Sequence, residues 1–358
     1  MKINIVLPNI HASGGIKIIT QYAKHLMQVG HDVTLITCLY PNYSLKDRIK
    51  IKFGMKPSWA PNPSNINFDN LNVIYSKNPY KINKNDCPDA DVIVATWWQT
   101  ADWIKNFPAS KGKKVYFIQG YEIFDSQPTK KVESTYLNSD FEKIVVSPWL
   151  KKIMEKNYHI KNVYEVYNGI DTQLYKPTKQ NSYINNSIGM ILSPLPCKGA
   201  DLAIKTIHLL KKEIPNLQVN IISNYTPEKN GIYHLEKWMN YYKSPSIDDI
   251  RSIYSNSSCW LFPSREEGFG LPILESLACG TPVVAFNAGA AEAIINDNVG
   301  SCLPNHSLTK MTLQAIKWIH KKNNRMNEVS ENCIKHVQQW SSQNSSINFE
   351  KVLSHIVS

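Results

Sequence analysis

No stretch of the 358 residues approaches the roughly 20 apolar residues that a membrane-spanning helix needs. The apolar run after Lys2 ends at Pro8, too short for the core of a signal peptide, so a protein on the cytosolic side is expected. Close cysteine pairs are also missing. The seven cysteines, at 38, 87, 197, 259, 279, 302 and 333, show neither a disulfide framework nor a metal-site spacing and read as reduced, mostly buried thiols. The dinucleotide fingerprint G-x-G-x-x-G does not occur, which argues against a dehydrogenase. Helix-turn-helix, zinc-finger and RNA-motif patterns are lacking, so nucleic acid is not an expected partner.

What is present fits a globular enzyme: 42% hydrophobic and 10% aromatic residues, a length that favours two domains of ordinary size, and no internal repeat. The net charge of +11 is uneven. Residues 1–170 carry 22 Lys/Arg against 14 Asp/Glu, whereas 171–358 carry 18 against 15. An anionic membrane face or a phosphate-bearing acceptor would suit the basic half. A bland alternative is a generally solvated lysine surface.

The most informative stretch is 258–286, SSCWLFPSREEGFGLPILESLACGTPVVAF. A short apolar run at 259–262 leads into a loop with Gly268 and Gly270, then a helix over 271–278 with proline near its start, then a second apolar run at 281–286. Gly280 is placed to end the helix. This is one βαβ step of a parallel sheet, and its helix start offers unpaired N–H groups and positive dipole to phosphate or sugar oxygens. Two carboxylates bracket that start, Glu267 on the loop and Glu275 on the helix.

The run from Glu267 to Glu275, with GFGLP between, the preceding PS, the following ACGTPVVAF and then Gly289 and Glu292, resembles the E-x7-E signature of the retaining nucleotide-sugar glycosyltransferases of family 4. The resemblance implies a GT-B fold, two facing Rossmann-like α/β domains with parallel sheets and an interdomain cleft. It also implies a metal-independent enzyme with no cofactor, moving a sugar from a nucleotide-diphosphate donor to a carbohydrate or lipid-linked acceptor in surface polysaccharide or glycolipid assembly. By that likeness Glu275 takes the ribose hydroxyls, while Glu267 with the backbone of Gly268, Phe269, Gly270 and Leu271 takes hydroxyls of the transferred sugar. Gly15 and Lys198 lie beside the diphosphate.

Elsewhere the chain follows the same pattern. Residues 2–7 read as a buried strand, followed by a loop with Gly14 and Gly15, a helix over 16–29 with apolar residues at helical spacing, and a strand at 33–37. Residues 39–85 read as polar and irregular. Within them the mixed basic and apolar run 46–56, with Trp59, suits either a bilayer contact or a lysine-guarded edge strand. Strands at 91–96 and 113–118 end in Trp97-Trp98 with Trp103 and in Gln119-Gly-Tyr-Glu122. Many family 4 enzymes carry a histidine where this chain has Gln119. An amide there can orient hydroxyls, and Glu122 reads as a base or as a structural carboxylate.

The segment Asn168-Gly-Ile-Asp171 with Tyr175-Lys-Pro177 resembles the family's close of the first domain, and a turn plus linker predicts the same boundary. The expected domains are an acceptor-binding domain over 1–172, a nucleotide-sugar domain over 178–335, and a terminal helix over 336–358 returning to the first domain. Ahead of a helix at 201–212, Lys198-Gly199 match the family's phosphate-binding lysine, while Ser193 stands where relatives carry an arginine. Residues around 241–243 are expected near the base. The losses at 119 and 193 keep a second reading open, a non-catalytic GT-B partner subunit or carbohydrate-binding module. Peripheral contact with the inner face of the membrane accompanies the first reading.

Overall fold

The computed structural model describes residues 1–9, 14–38, 49–50, 55, 70–124, 127–178, 183–226, 233 and 235–358. Most of the basic run at 46–56, and Trp59, lie outside them. The chain falls into two compact units. The first comprises Met1–Val146, Leu150–Val166 and Ser345–Ser358, the second Ser147–Trp149 and Tyr167–Asn344.

In the first unit a parallel sheet has the order β3-β2-β1-β4-β5-β6-β7. Its strands are β1 (Lys2–Val6), β2 (Asp32–Thr37), β3 (Asn72–Tyr75), β4 (Val92–Ala95), β5 (Lys113–Ile118), β6 (Glu142–Val145) and β7 (Val163–Glu165). The central strands are apolar runs buried along nearly their whole length, as sheets covered on both faces require. Helix α1 (Gly14–Gln28) turns Ile16, Ile18, Ile19, Tyr22, Ala23 and Leu26 inward. It is followed by α2 (Trp98–Ile104), α3 (Thr129–Tyr136) and α4 (Pro148–Asn157). Contrary to the irregular structure expected over 39–85, β3 and a 3-10 turn at Lys84–Asp86 form there. Strand β3 is half-exposed at the sheet edge, so it lacks the apolar run that marks a buried strand.

The second unit contains β8 (Ser187–Ile191), β9 (Gln218–Ser223), β10 (Met239–Lys243), β11 (Cys259–Phe262), β12 (Val283–Phe286) and β13 (Gly300–Leu303), all parallel, in the order β10-β9-β8-β11-β12-β13. Its helices are α5 (Ala200–Glu213), α6 (Ile247–Asn256), α7 (Leu271–Ala278), α8 (Ala291–Ile294), α9 (Leu308–Asn324) and α10 (Met326–Val337). The terminal helix expected over 336–358 starts later: α10 ends at Val337 and a short 3-10 turn at Gln338–Trp340 precedes α11 (Ser342–Val357). Most of α11 belongs to the first unit, where Phe349 stacks on Tyr22 with ring centroids 4.5 Å apart and meets Phe117 at 5.3 Å. Glu350 accepts from both His25 and His31 at 3.2 Å.

Both sheets reverse direction next to their first strand, at β1/β4 and at β8/β11. Open α/β sheets bind ligands beyond the carboxyl ends of the strands at such a reversal. In the second unit those ends lead to Lys198, after β8, and to Glu267, after β11.

Trp260 of β11 fixes the packing beneath this point. A Cβ on Gly189 would lie 1.9 Å from the Trp260 ring, so the indole occupies space that any other residue at 189 would fill. Gly189→Ala is expected to cost about 1–3 kcal/mol or more through overpacking, lowering the unfolding midpoint of the second unit by ~5–10 °C in a calorimetric scan. An unshifted midpoint would mean that Trp260 has room to move.

Candidate active site

The loop after β8 makes a single 3-10 turn, Pro196–Lys198, and passes into α5 through Gly199, which is left-handed at φ +65°. A Cβ at 199 would sit 2.0 Å from the Pro263 carbonyl oxygen, so the two loops approach closely only because residue 199 is glycine. Lys198 Nζ then reaches Glu267 Oε1 at 2.7 Å, and the Ser264 hydroxyl donates to the same oxygen at 3.0 Å. Both partners of the ion pair remain partly solvent-accessible.

Arg265, two residues before Glu267, carries no function in the sequence reading. In the structure it clamps the two loops: Nη1 and Nη2 donate to the two Asp201 oxygens at 2.8 and 2.7 Å, and Nη1 also donates to the Pro196 carbonyl. That bidentate bond holds the Asp201 carboxyl below its ordinary range. A cation therefore does lie beside the lysine loop despite Ser193, but it already has a carboxylate. Ser193 accepts from Leu195 N–H at 3.3 Å and shapes the loop. Nothing in the spacing of Arg265 and Asp201 along the chain links them.

Helix α7 begins after Gly270, and Phe269 beneath it is buried. Among the described residues the N–H groups of Gly268, Phe269, Gly270 and Leu271 donate to no other group, leaving the helix start as an open set of donors. The Phe269 carbonyl accepts from Ala290 N–H at 2.8 Å, and Gly289 lies under the loop where a Cβ would be 2.5 Å from that carbonyl and 2.9 Å from Glu267 Cβ. One turn into α7, half-buried Glu275 accepts a hydrogen bond from the Tyr254 hydroxyl at 3.0 Å, and burial together with the nearby Glu275 charge pushes up the Tyr175 phenol. Lys198, Glu267, the helix start and Glu275 thus lie within one unit, on adjoining loops and one helix.

In the first unit, Gly15 and Gln119 are neighbours. A Cβ on Gly15 would be 3.0 Å from Gln119 Oε1, which is buried without a hydrogen-bond partner. Glu122 is only 1% exposed. Its Oε2 accepts from Trp98 N–H and from the Tyr116 hydroxyl, each at 2.6 Å, and its own N–H donates to the Tyr136 hydroxyl at 2.9 Å. Burial pushes its carboxyl up to about 8, against the two hydrogen bonds that favour ionisation. Trp98 is buried too, its indole N–H donating to Gln127, while Trp97 is half-buried beside exposed Phe124. Trp98 is therefore closed to a sugar ring, while Trp97 and Trp103 are both partly exposed.

The pair Asp89 and Asp91, an Asp-x-Asp spacing, lies at the opposite, amino end of β4. Asp89 is bonded to Lys111 at 2.9 Å, and Asp91 accepts from Lys2 N–H at 2.7 Å. No group of three metal-ligating side chains occurs among the described residues. No described helix is long and apolar enough to cross a membrane.

Two parallel-sheet Rossmann-like units define the architecture of GT-B glycosyltransferases, and solved structures agree with it. HepE of Anabaena, solved in complex with UDP, superposes with a TM-score of 0.70 over 99% of this chain and 100% of its own, at 14% identity. Residues 185–339, all within the second unit, match the family of group 1 glycosyl transferases. Over 175 residues the chain is 29% identical to an uncharacterised glycosyltransferase of Methanocaldococcus jannaschii, covering 47% of this chain and 46% of the relative. It is 30% identical over 164 residues to the O-antigen biosynthesis glycosyltransferase WclY of Escherichia coli, covering 41% of this chain and 44% of that one. The matched region spans just under half the length of these curated relatives.

Glu122 sets a pH dependence. Its carboxyl ionises near 4.5 in the unfolded chain and near 8 in the folded one, so the folded state holds an extra proton between these values. Its contribution to stability is therefore full below about pH 4.5, falls as pH rises, and is lost above about 8. Glu122→Gln, which keeps an oxygen acceptor but cannot ionise, is expected to flatten the decline of chemical-denaturation stability between pH 5 and 8. A parallel decline in both proteins would show that Glu122 is not its source.

Proposed function

We propose that this protein is a retaining, metal-independent glycosyltransferase of family 4. It moves a sugar from a nucleotide-diphosphate donor to a carbohydrate or lipid-linked acceptor. The observation that carries this reading is the 2.7 Å contact of Lys198 with Glu267, beside the open N–H groups at the start of α7. A cation and a carboxylate so close suit a sugar 1-phosphate, whose charged oxygens and ring hydroxyls are equally adjacent. Lys198 and the helix start stabilise the charge that grows on the departing diphosphate, a role for which other enzymes use a divalent cation. Glu267 and the backbone of Gly268, Phe269, Gly270 and Leu271 hold sugar hydroxyls. Glu275 accepts from the ribose diol.

Retention follows if the acceptor attacks on the face from which the diphosphate leaves, with a departing phosphate oxygen taking the acceptor's proton. No protein base is needed at that step. This agrees with an amide at Gln119 and with a Glu122 whose oxygens are turned into the core. In this reading Gln119 orients hydroxyls, Gly15 leaves it room and stands beside the diphosphate, and Glu122 positions the loop. The name of the O-antigen relative supports surface-polysaccharide assembly. The basic first half supports peripheral work at the inner face of the cell membrane.

The test is a panel of nucleotide sugars with released nucleotide as the readout. Glu275→Ala is expected to raise the donor KM by ~10–100-fold, the loss of charge-assisted hydrogen bonds worth about 1.5–3 kcal/mol. Glu267→Ala is expected to act chiefly on kcat, by ~100-fold or more. Wild-type rates in both variants would defeat the assignment.

A further inference from the structure

The second unit contains a cavity of about 280 Å³ that takes no part in the site described above. Its walls come from Pro177 and Thr178, the ends of α6, α7 and α9, and one face of α10. It sits at the carboxyl end of α7, whereas Lys198 and Glu267 lie at the amino end, about 12 Å of helix away.

Lys322, in the last turn of α9, is 1% exposed on the wall of this cavity. Its ammonium donates to the Gly280 carbonyl just past α7 and to the Ser330 hydroxyl of α10. Both acceptors are neutral. No carboxylate comes within ion-pair distance of it among the described residues, and Glu331, the one acid lining the cavity, is exposed. The neighbouring Cys333 thiol is no counter-ion either, because burial pushes it up to about 12 and keeps it neutral. Burial likewise pulls the Lys322 ammonium down to about 8. A lysine this deep is ordinarily paired, since the loss of hydration is offset only by an opposite charge with good hydrogen bonds.

The cavity offers what such a counter-ion needs. Of the three donors on the ammonium only two are used, and the third finds no oxygen among the described residues. Thr178 Oγ1 is buried without a hydrogen-bond partner and lines the same cavity, while the Thr178 N–H donates to Ser255 Oγ at 3.1 Å and fixes the residue in place. No side chain caps the amino end of α10, so the positive end of a 12-residue helix also faces this region. Tyr183, Met326 and Ile334 add apolar surface. The volume is several times the ~30 Å³ share of one water, room for an oxyanion with a small body attached.

We propose that this cavity binds a small metabolite through a phosphate or carboxylate head, which serves as the counter-ion of Lys322 and accepts from the Thr178 hydroxyl, while its body lies against Tyr183, Met326 and Ile334. The site is separate from the donor site and does not rest on the roles given to Lys198 and Glu267.

The experiment is calorimetric titration of the full-length protein with phenyl phosphate and with benzoate, one body with two heads, repeated for Lys322→Met, Thr178→Val and Lys198→Ala. Wild type is expected to bind at least one probe with a Kd below ~1 mM, and the better probe identifies the head. Lys322→Met, which keeps the aliphatic stem and removes the charge, is expected to weaken that probe by ~10–100-fold, and Thr178→Val by ~3–10-fold. Lys198→Ala is expected to bind it like wild type, because the donor site is elsewhere. Thermal melts check that each variant folds; should Lys322→Met not fold, wild-type affinity in Thr178→Val overturns the proposal in its place. The proposal also fails if Lys322→Met binds like wild type, if binding is lost in Lys198→Ala instead, or if neither probe binds wild type at ~10 mM.

Discussion

The second unit depends on how closely three stretches of backbone pass one another around residues 263–270. The loop after β8 approaches the Pro263 carbonyl at Gly199, and the chain after β12 slips under Phe269 and Glu267 at Gly289. Either approach would be blocked by a side chain, and both glycines have left-handed φ values, +65° and +62°, that other residues seldom adopt. With these two contacts made, Lys198 meets Glu267 and the start of α7 is presented with its N–H groups open. The chemistry is carried by side chains, but their meeting is a property of the backbone.

Much of this was legible along the chain. Proline near the start of α7, glycine at its end and apolar runs on either side are local signals, and they describe the strand, loop and helix that form. Lys198 and the two acids could be singled out because the family resemblance is concentrated in those short segments. The partners that hold them were not legible. Arg265 and Asp201 are 64 residues apart, and Tyr254 and Glu275 are 21 apart, so only tertiary packing brings each pair together. Strand β3 escaped notice because an edge strand is not obliged to be apolar.

Glu122 shows how burial decides between roles that a sequence leaves open. Its carboxyl faces a backbone N–H and a phenol, and a third group, the Tyr136 hydroxyl, takes its own N–H. These bonds tie the segment after β5 to the start of α2 and to α3. Gln119, three residues earlier, is held at one end of that tied segment, its amide oxygen against Gly15. Two polar residues of one short motif thus meet different surroundings, and proximity in sequence says little about which of them a substrate could reach.

The order in which the two units can be finished during synthesis follows from α11. Phe349 and Leu353 are fully buried in the first unit, and the Lys113 ammonium donates to the Ile356 carbonyl there. A ribosome releases the amino-terminal strands first, yet they must wait for residues 345–358 before their hydrophobic interior is closed. The second unit, made entirely from residues up to 344, has its full complement earlier. The half begun first is completed after the other, so the nascent first unit keeps an apolar face uncovered until residues 345–358 have been made, while chaperone binding or premature aggregation would compete with closure.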